Sequence, residues 1–204
     1  MPGSPEPGRP LDRETLTRAF DGLEKQLASR GVRAHVYIVG SAVLLMAHRR
    51  SRITMDVDAL SIDHRDVVLD CARVVAKEQE LRDDWLNDQV RWIPILPPHP
   101  DPRAEVLHDS PHLVVTGASA PHILAMKVRA ARTSDLEDIK LLMRQLGITT
   151  MEEVREIHRA VYPLDGIPWR NEERIEGCLR DLREEGETPD GSLPRSTGDP
   201  GHRR

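Results

Sequence analysis

Two aspartates separated by one residue, Asp56 and Asp58, are the side chains of this sequence best suited to bind a metal ion. They belong to segment 52–59, in which apolar and polar residues alternate strictly, as in a strand with one buried face. Residues two apart on a strand project from the same face, so the carboxylates would lie side by side. Such oxygens suit Mg²⁺, or Mn²⁺ in its place, with positions left for substrate phosphates. A plain solvent-exposed strand face would show the same alternation.

A Gly-Ser pair, Gly40 and Ser41, lies between a short β-prone run at 35–39 and an apolar, helix-like run at 42–47. Glycine lets the backbone approach a ligand closely, and free N–H groups at a helix start favour a phosphate. Arg52 and Thr54 fall on the same face as the two aspartates, so they extend the predicted nucleotide-binding surface. The structural alternative is that Gly40 only makes the turn and Ser41 only caps the helix.

A lysine, Lys127, interrupts the apolar stripe of a helix predicted from 120 to about 132. Such a lysine points into a cleft, where it would neutralise a triphosphate, or it extends outward to solvate its end. Asp135 and Asp138 share a face of the next predicted helix, where they could orient Lys127, bind the incoming hydroxyl or only stabilise the helix N-terminus. We favour the last role for Asp135 and a catalytic role for Asp138.

The elements that would position these residues give an α+β organisation. Periodicity predicts helices at 12–31, 42–47, 66–78, 120–132, 134–147 and 171–185, and strands at 35–39, 52–59 and 113–116, with a loop and edge strand between 85 and 109. Segments 134–137 and 150–153 both show the capping-box pattern that begins a helix. We expect a core at 11–147, a helical extension at 148–185, and disordered tails at 1–10 and 186–204.

Composition narrows the classes of function. The formal net charge of −5 and the 3% aromatic content argue against a global basic field or an aromatic platform for nucleic acid. The local cluster 48–52, with Arg129 and Arg132, could hold RNA phosphates or be a solvated basic edge.

Two isolated cysteines, Cys71 and Cys178, and the lack of a long apolar run predict free thiols, no membrane segment and a cytoplasmic location. HExxH, GxSxG, P-loop and GxGxxG motifs are absent from the sequence.

The order Gly40-Ser41, then Arg52, Thr54, Asp56 and Asp58, resembles the signature of the DNA polymerase β-like nucleotidyltransferase superfamily. Segments 39–42, 84–88, 124–127 and 135–139 are more closely similar to bacterial AbiEii/MenT nucleotidyltransferase toxins. The resemblance implies a polymerase-β-like core, a small mixed sheet flanked by helices, with a C-terminal helical portion. It also implies a toxin that transfers NMP from an NTP to the 3′ acceptor end of tRNA, blocking translation and growth, with a cognate antitoxin as partner.

Residue by residue, the resemblance maps phosphate binding to Gly40 and Ser41, metal binding to Asp56 and Asp58, triphosphate contact to Lys127, and a supporting catalytic role to Asp138. The superfamily often supplies a third carboxylate from a later strand, but segment 113–116 has none. Glu105 and Asp109 lie in an irregular segment, and the general base stays open. Two alternatives remain: a nucleotidyltransferase that modifies a protein hydroxyl or a small molecule, and a degenerate, non-catalytic binding module.

Overall fold

A mixed five-stranded sheet forms the centre of the protein in this computed structural model, which describes residues 8–47, 53–92 and 96–187. The strands are β1 (Ala34–Val39), β2 (Val57–Ile62), β3 (Leu86–Asn87), β4 (Glu105–Asp109) and β5 (Leu113–Gly117). Their order across the sheet is β3-β2-β1-β5-β4. Strand β1 is antiparallel to β2 and parallel to β5, β3 is parallel to β2, and β4 is antiparallel to β5.

Seven α-helices within the described ranges surround this sheet. They are α1 (Arg13–Ser29), α2 (Ser41–Ala47), α3 (Arg65–Glu78), α4 (Ala120–Ala130), α5 (Leu136–Leu146), α6 (Met151–Val161) and α7 (Trp169–Glu187). Short 3₁₀ turns lie at Gln89–Trp92 and Thr133–Asp135. The prediction of an α+β fold, with a small mixed sheet, flanking helices and a helical C-terminal part, is confirmed.

One face of the sheet forms the core. Ile38, Val57, Ala59, Leu113 and Val115 alternate with less buried residues and are completely buried. Helices α1 and α3 cover this face and hold the edge of the sheet through a fully buried tryptophan, Trp85, whose Nε1 donates to Ala72 O on α3 (2.9 Å). The opposite face carries Asp58, which pairs in register with Val39 on β1 and Asn87 on β3.

The predicted strand at 52–59 is wrong in its bounds. Strand β2 begins only at Val57, so Asp56 lies just before it and Asp58 within it. The upstream part does not join the sheet, because Thr54 pairs instead with Leu11 in an isolated bridge, with N···O distances of 2.8 and 3.0 Å. Arg52 and the rest of the basic cluster at 48–52 lie outside the described residues.

One of the two predicted capping boxes forms, and α1 is also capped by a side chain. Asp12 accepts a hydrogen bond from Thr15 N (2.7 Å), and Thr150 and Glu153 form the predicted capping box. The capping box predicted at 134–137 is wrong, because a 3₁₀ turn precedes α5 and the N-cap residue, Asp135, makes no side-chain cap bond. The Asp135 carboxylate binds Lys127 instead (2.6 Å).

The C-terminal helices pack against the segment that carries Lys127. On α7, Asn171 Nδ2 donates to Val128 O (3.2 Å) and Arg129 O (2.7 Å) of α4. Arg174 Nη1 donates to Ala131 O, just beyond the end of α4 (2.6 Å). A helix leaves its last carbonyls without intrahelical partners, so α7 supplies the bonds that α4 lacks at its end.

The two ends of the described chain differ from the predicted tails in detail. Arg9 N donates to Glu80 O (2.9 Å), so contact with the fold begins before residue 11, and α7 continues to Glu187. Residues 1–7 and 188–204 lie outside the described part. Both cysteines are free and buried, as predicted. None of the helices in the described ranges is long and apolar enough to cross a membrane.

Candidate active site

A cavity of about 140 Å³ brings together residues that lie far apart in the sequence. The turn after β1 contributes Gly40 and Ser41, strand β2 contributes Asp58, and helix α4 contributes Lys127. The remaining lining residues are Val39, Val90, Ile123, Met126, Ala130, Arg132 and Asp135. Four of the predicted site residues therefore share one cavity.

The glycine of the turn allows its backbone to approach Asp58. Gly40 has φ +76°, a conformation that costs other residues energy. A Cβ atom at this position would lie 3.4 Å from Asp58 Oδ2. The turn can thus present its backbone beside the carboxylate without a side chain between them.

The two aspartates form an electrostatically strained pair. Burial raises the pKa of both carboxyls above the ordinary value, and the charge of Asp56 raises the pKa of Asp58 further. Arg132, a hydrogen bond from the Asn87 side chain, and Lys127 act in the opposite direction on Asp58. Two partly desolvated carboxylates that repel one another are hard oxygen ligands, and a divalent cation between them would relieve the repulsion. The residues present therefore fit Mg²⁺ or Mn²⁺.

Lys127 occupies the centre of a buried ion cluster. Its Nζ lies 2.6 Å from Asp135 Oδ1 and 2.9 Å from Asp138 Oδ2. Lys127 is 8% exposed and Asp138 only 2% exposed. Because a buried charge is costly unless it is paired, each member of the cluster holds the others in place. Asp138, although near the site, does not line the cavity.

Several predicted residues have other roles in the structure. Thr54 Oγ1 donates to Asp56 O (3.1 Å), so its hydroxyl stabilises the segment before β2. Arg129, offered as an RNA contact, pairs with Asp165 (3.1 Å) and lies over the Tyr162 ring, 4.8 Å from its centroid. These contacts commit Arg129 to the packing between α4 and the segment that follows α6.

No third carboxylate joins the pair in the described part of the chain, where no group of three potential metal-ligating side chains converges. Glu105 and Asp109 are on β4, which is separated from β2 by β1 and β5. The carboxylate pair is instead flanked by Asn87 and by Arg82, which forms a bidentate pair with Asp84 (2.8 Å for both contacts). Among the sequence observations, only the similarity of segment 84–88 to the AbiEii/MenT toxins indicated that this region contributes to the site.

A larger cavity of about 470 Å³ lies between the loop at 99–103, the start of α4 and helix α6. None of the predicted site residues lines it. Its buried carboxylate, Asp101, already accepts hydrogen bonds from Ser119 N (2.6 Å) and Arg103 N (2.9 Å). The smaller cavity is therefore the better candidate for chemistry, because its charged groups converge beside the carboxylate pair.

A mixed sheet with a Gly-Ser turn beside an Asp-x-Asp pair is consistent with a nucleotidyltransferase fold. Residues 14–165 match the sequence model of a family described as nucleotidyltransferases of unknown function (DUF6036), and the chain belongs to this family. Searches of curated proteins and of solved structures found no match. The family confirms the prediction of a nucleotidyltransferase-type domain, and its description names no toxin, RNA or metal.

Proposed function

We propose that this protein is a divalent-metal-dependent nucleotidyltransferase that transfers NMP from an NTP to a hydroxyl group. The observation that carries the proposal is the convergence of Gly40, Ser41 and Asp58 on one cavity, with Asp56 close enough to raise the pKa of Asp58. A phosphate-rich substrate needs both neutralisation of its charge and close contact with the backbone. The repulsion between Asp56 and Asp58 favours a bound metal ion, and the glycine turn beside Asp58 leaves room for phosphate oxygens.

In this mechanism the acceptor hydroxyl attacks the α-phosphorus in line with the leaving group. The new bond joins the acceptor oxygen to phosphorus, the bond to the β-phosphate oxygen breaks, pyrophosphate leaves, and the hydroxyl proton is released to water. Asp56 and Asp58 would hold Mg²⁺ or Mn²⁺, which neutralises phosphate charge and polarises the reacting oxygens. The Gly40-Ser41 turn would receive phosphate oxygens, and the Asn87 side chain would orient Asp58 through its hydrogen bond.

The preferred acceptor is the 3′ end of tRNA, with a growth-arresting toxin as the biological role and a cognate antitoxin as partner. This part of the proposal is supported by the resemblance of four sequence segments to the AbiEii/MenT toxins. Transfer to a protein hydroxyl or a small molecule would use the same metal and phosphate groups. A non-catalytic binding module would keep the fold and lose the transfer.

The test is a labelling experiment. The purified protein is incubated with each α-³²P-labelled NTP, with Mg²⁺ or Mn²⁺, and with total RNA or lysate protein. We expect label on tRNA, and none with EDTA. Label on protein would redirect the acceptor, and no label with any nucleotide, metal or acceptor would contradict the enzymatic proposal.

The site assignment is tested in the same experiment by Asp58→Asn. We expect transfer to fall by at least about 1,000-fold, because the loss of one charge weakens both metal binding and neutralisation of phosphate. The matched control is Asp63→Asn, an exposed aspartate just beyond the far end of β2, which should transfer label at the wild-type rate. Transfer that survives in Asp58→Asn would refute the assignment.

A further inference from the structure

The positive charge of Lys127 lines this cavity, but it is already paired with two carboxylates. Lys127 Nζ donates a hydrogen bond to Asp135 Oδ1 (2.6 Å) and forms an ion pair with Asp138 Oδ2 (2.9 Å). With both aspartates ionised, this cluster has a net charge of −1. It would repel the part of a triphosphate that a metal ion held by Asp56 and Asp58 does not neutralise. A different cation is needed on the side of the cavity that faces the phosphates.

Arg132 meets that requirement. It lines the same cavity as Gly40, Ser41 and Asp58, and its side chain is exposed. Within the described residues its guanidinium forms no ion pair, in contrast to Lys127 and Arg129. Its charge already acts on the Asp58 carboxylate. An arginine fork with five donors suits phosphate oxygens, which it can bind in bidentate fashion.

The backbone just before Arg132 is held by side chains of α7, whereas its guanidinium forms no ion pair with another described residue. The preceding residue, Ala131, is fully buried and has φ +38°, a left-handed conformation that a non-glycine residue adopts only when its surroundings impose it. Its carbonyl accepts from Arg174 Nη1 (2.6 Å), while Asn171 holds the last turn of α4. The chain thereby leaves α4 abruptly, and Arg132 is directed to the cavity instead of continuing the helix.

We propose that Arg132 is the residue that binds the β- and γ-phosphate oxygens of the NTP, and that Lys127 is a positioning residue that fixes Asp135 and Asp138. This assignment rests on the proposed nucleotidyltransferase function. It replaces both the predicted triphosphate contact of Lys127 and the predicted RNA contact of Arg132.

The test measures the dissociation constants of Mg²⁺ complexes of ATP, GTP, CTP and UTP, and then of the NMP of the tightest binder, by titration calorimetry. We expect Arg132→Gln to weaken NTP binding by about 10- to 100-fold, as for a lost charge-assisted contact, and to change NMP binding less than about 3-fold. Arg132→Lys should recover part of the loss. Arg33→Gln, an exposed arginine next to β1 and outside the cavity lining, is the matched control and should bind as wild type.

Lys127→Gln separates the two roles. It removes the partner of two aspartates, so we expect a lower melting temperature and lower kcat, while folded protein keeps the preference for NTP over NMP. Equal NTP affinity in Arg132→Gln and wild type would overturn the assignment, as would an equal loss for NTP and NMP. If wild type binds NTP but transfers no label, the proposed activity fails, and a loss of NTP affinity in Arg132→Gln still supports the phosphate assignment; if wild type binds no NTP, both fail.

Discussion

Gly40 has a conformation and a neighbour that together make it the most restrictive position of the site. Its φ of +76° disfavours any residue with a side chain, and the space beside it ends at Asp58 Oδ2. The backbone strain affects stability, whereas the contact with Asp58 affects chemistry. The two effects can be separated, because Gly31 has a similar φ of +65°, and a methyl group added there would meet nothing within 4 Å.

We predict that Gly40→Ala lowers the free energy of unfolding by about 1–2 kcal/mol, the cost of a left-handed alanine. It should also lower kcat/KM by more than about 10-fold, because the new methyl group, in van der Waals contact with Asp58 Oδ2, occupies the space in which the turn would meet a phosphate. Chemical denaturation and label-transfer kinetics measure the two effects. Gly31→Ala should show a similar loss of stability with unchanged kcat/KM, and equal kinetics in the two variants would contradict the proposed role of the turn.

Among single residues, the sequence predicted those whose proposed role depends on local spacing. The Asp-x-Asp pair, the Gly-Ser turn and Lys127 stood out because a strand or helix period places them on one face. Asn87 did not, since it meets Asp58 only through pairing of β3 with β2, and Arg132 stood out only as part of a basic edge. Arg132 reaches the cavity only because α4 ends abruptly at Ala131. Such contacts depend on tertiary structure that no local pattern contains.

Among the elements, α7 has the most direct influence on the site without contributing to its cavity. Through Asn171 and Arg174 it binds three carbonyls at the end of α4, the helix that carries Lys127. The sequence predicted α7 as a helix but gave no sign of this capping role. The division into core and extension stays a prediction, yet the family match continues to residue 165, beyond the predicted core boundary at 147.

We predict that Asn171→Ala destabilises the protein by about 1 kcal/mol, because two carbonyls of α4 lose a side-chain donor. It should also lower NTP affinity several-fold, since the segment that carries Arg132 is no longer held. Thermal unfolding and nucleotide titration measure these effects. Glu173→Ala, two residues along α7 and exposed, is the control. Wild-type NTP affinity in a destabilised Asn171→Ala protein would show that α7 supports the fold alone.

Helix starts show why identical local patterns can have different outcomes. Segments 134–137 and 150–153 both carry the capping-box letters, but only the second forms the box. At the first, Asp135 is drawn into the ion pair with Lys127, and the chain makes a 3₁₀ turn instead. Lys127, to which Asp135 binds, lies eight residues earlier in the chain, on α4, so the local pattern at 134–137 does not contain it.

At the scale of the whole molecule, two buried histidines link stability to pH. Burial lowers the pKa of His122 and of His158 below the ordinary value, and Arg129 lowers that of His158 further. The folded state therefore favours neutral imidazoles, while the unfolded chain takes up protons at about pH 6.5. Because the unfolded state binds more protons below that pH, the free energy of unfolding falls as the pH decreases.

We predict that wild-type protein loses stability between pH 7.5 and 5.5, and that His158→Gln loses less over the same interval. His158 stacks on Tyr162 with ring centroids 5.0 Å apart, so the variant will be less stable at pH 7.5, and the slope against pH is the quantity to compare. Denaturant titrations at four pH values provide it. The exposed His99→Gln should keep the wild-type slope. An unchanged slope in His158→Gln would show that other groups cause the acid sensitivity.

The bridge between Leu11 and Thr54 gives the start of the fold an influence over the proposed metal ligands. Leu11 is fully buried, exchanges two backbone hydrogen bonds with Thr54, and thereby holds the residue whose hydroxyl binds Asp56 O. A peptide, antibody or protease that detached residues 9–11 would remove the two backbone hydrogen bonds that hold Thr54, without contact with a residue that lines the cavity. Inhibition of the proposed activity from this surface would not require access to the cavity.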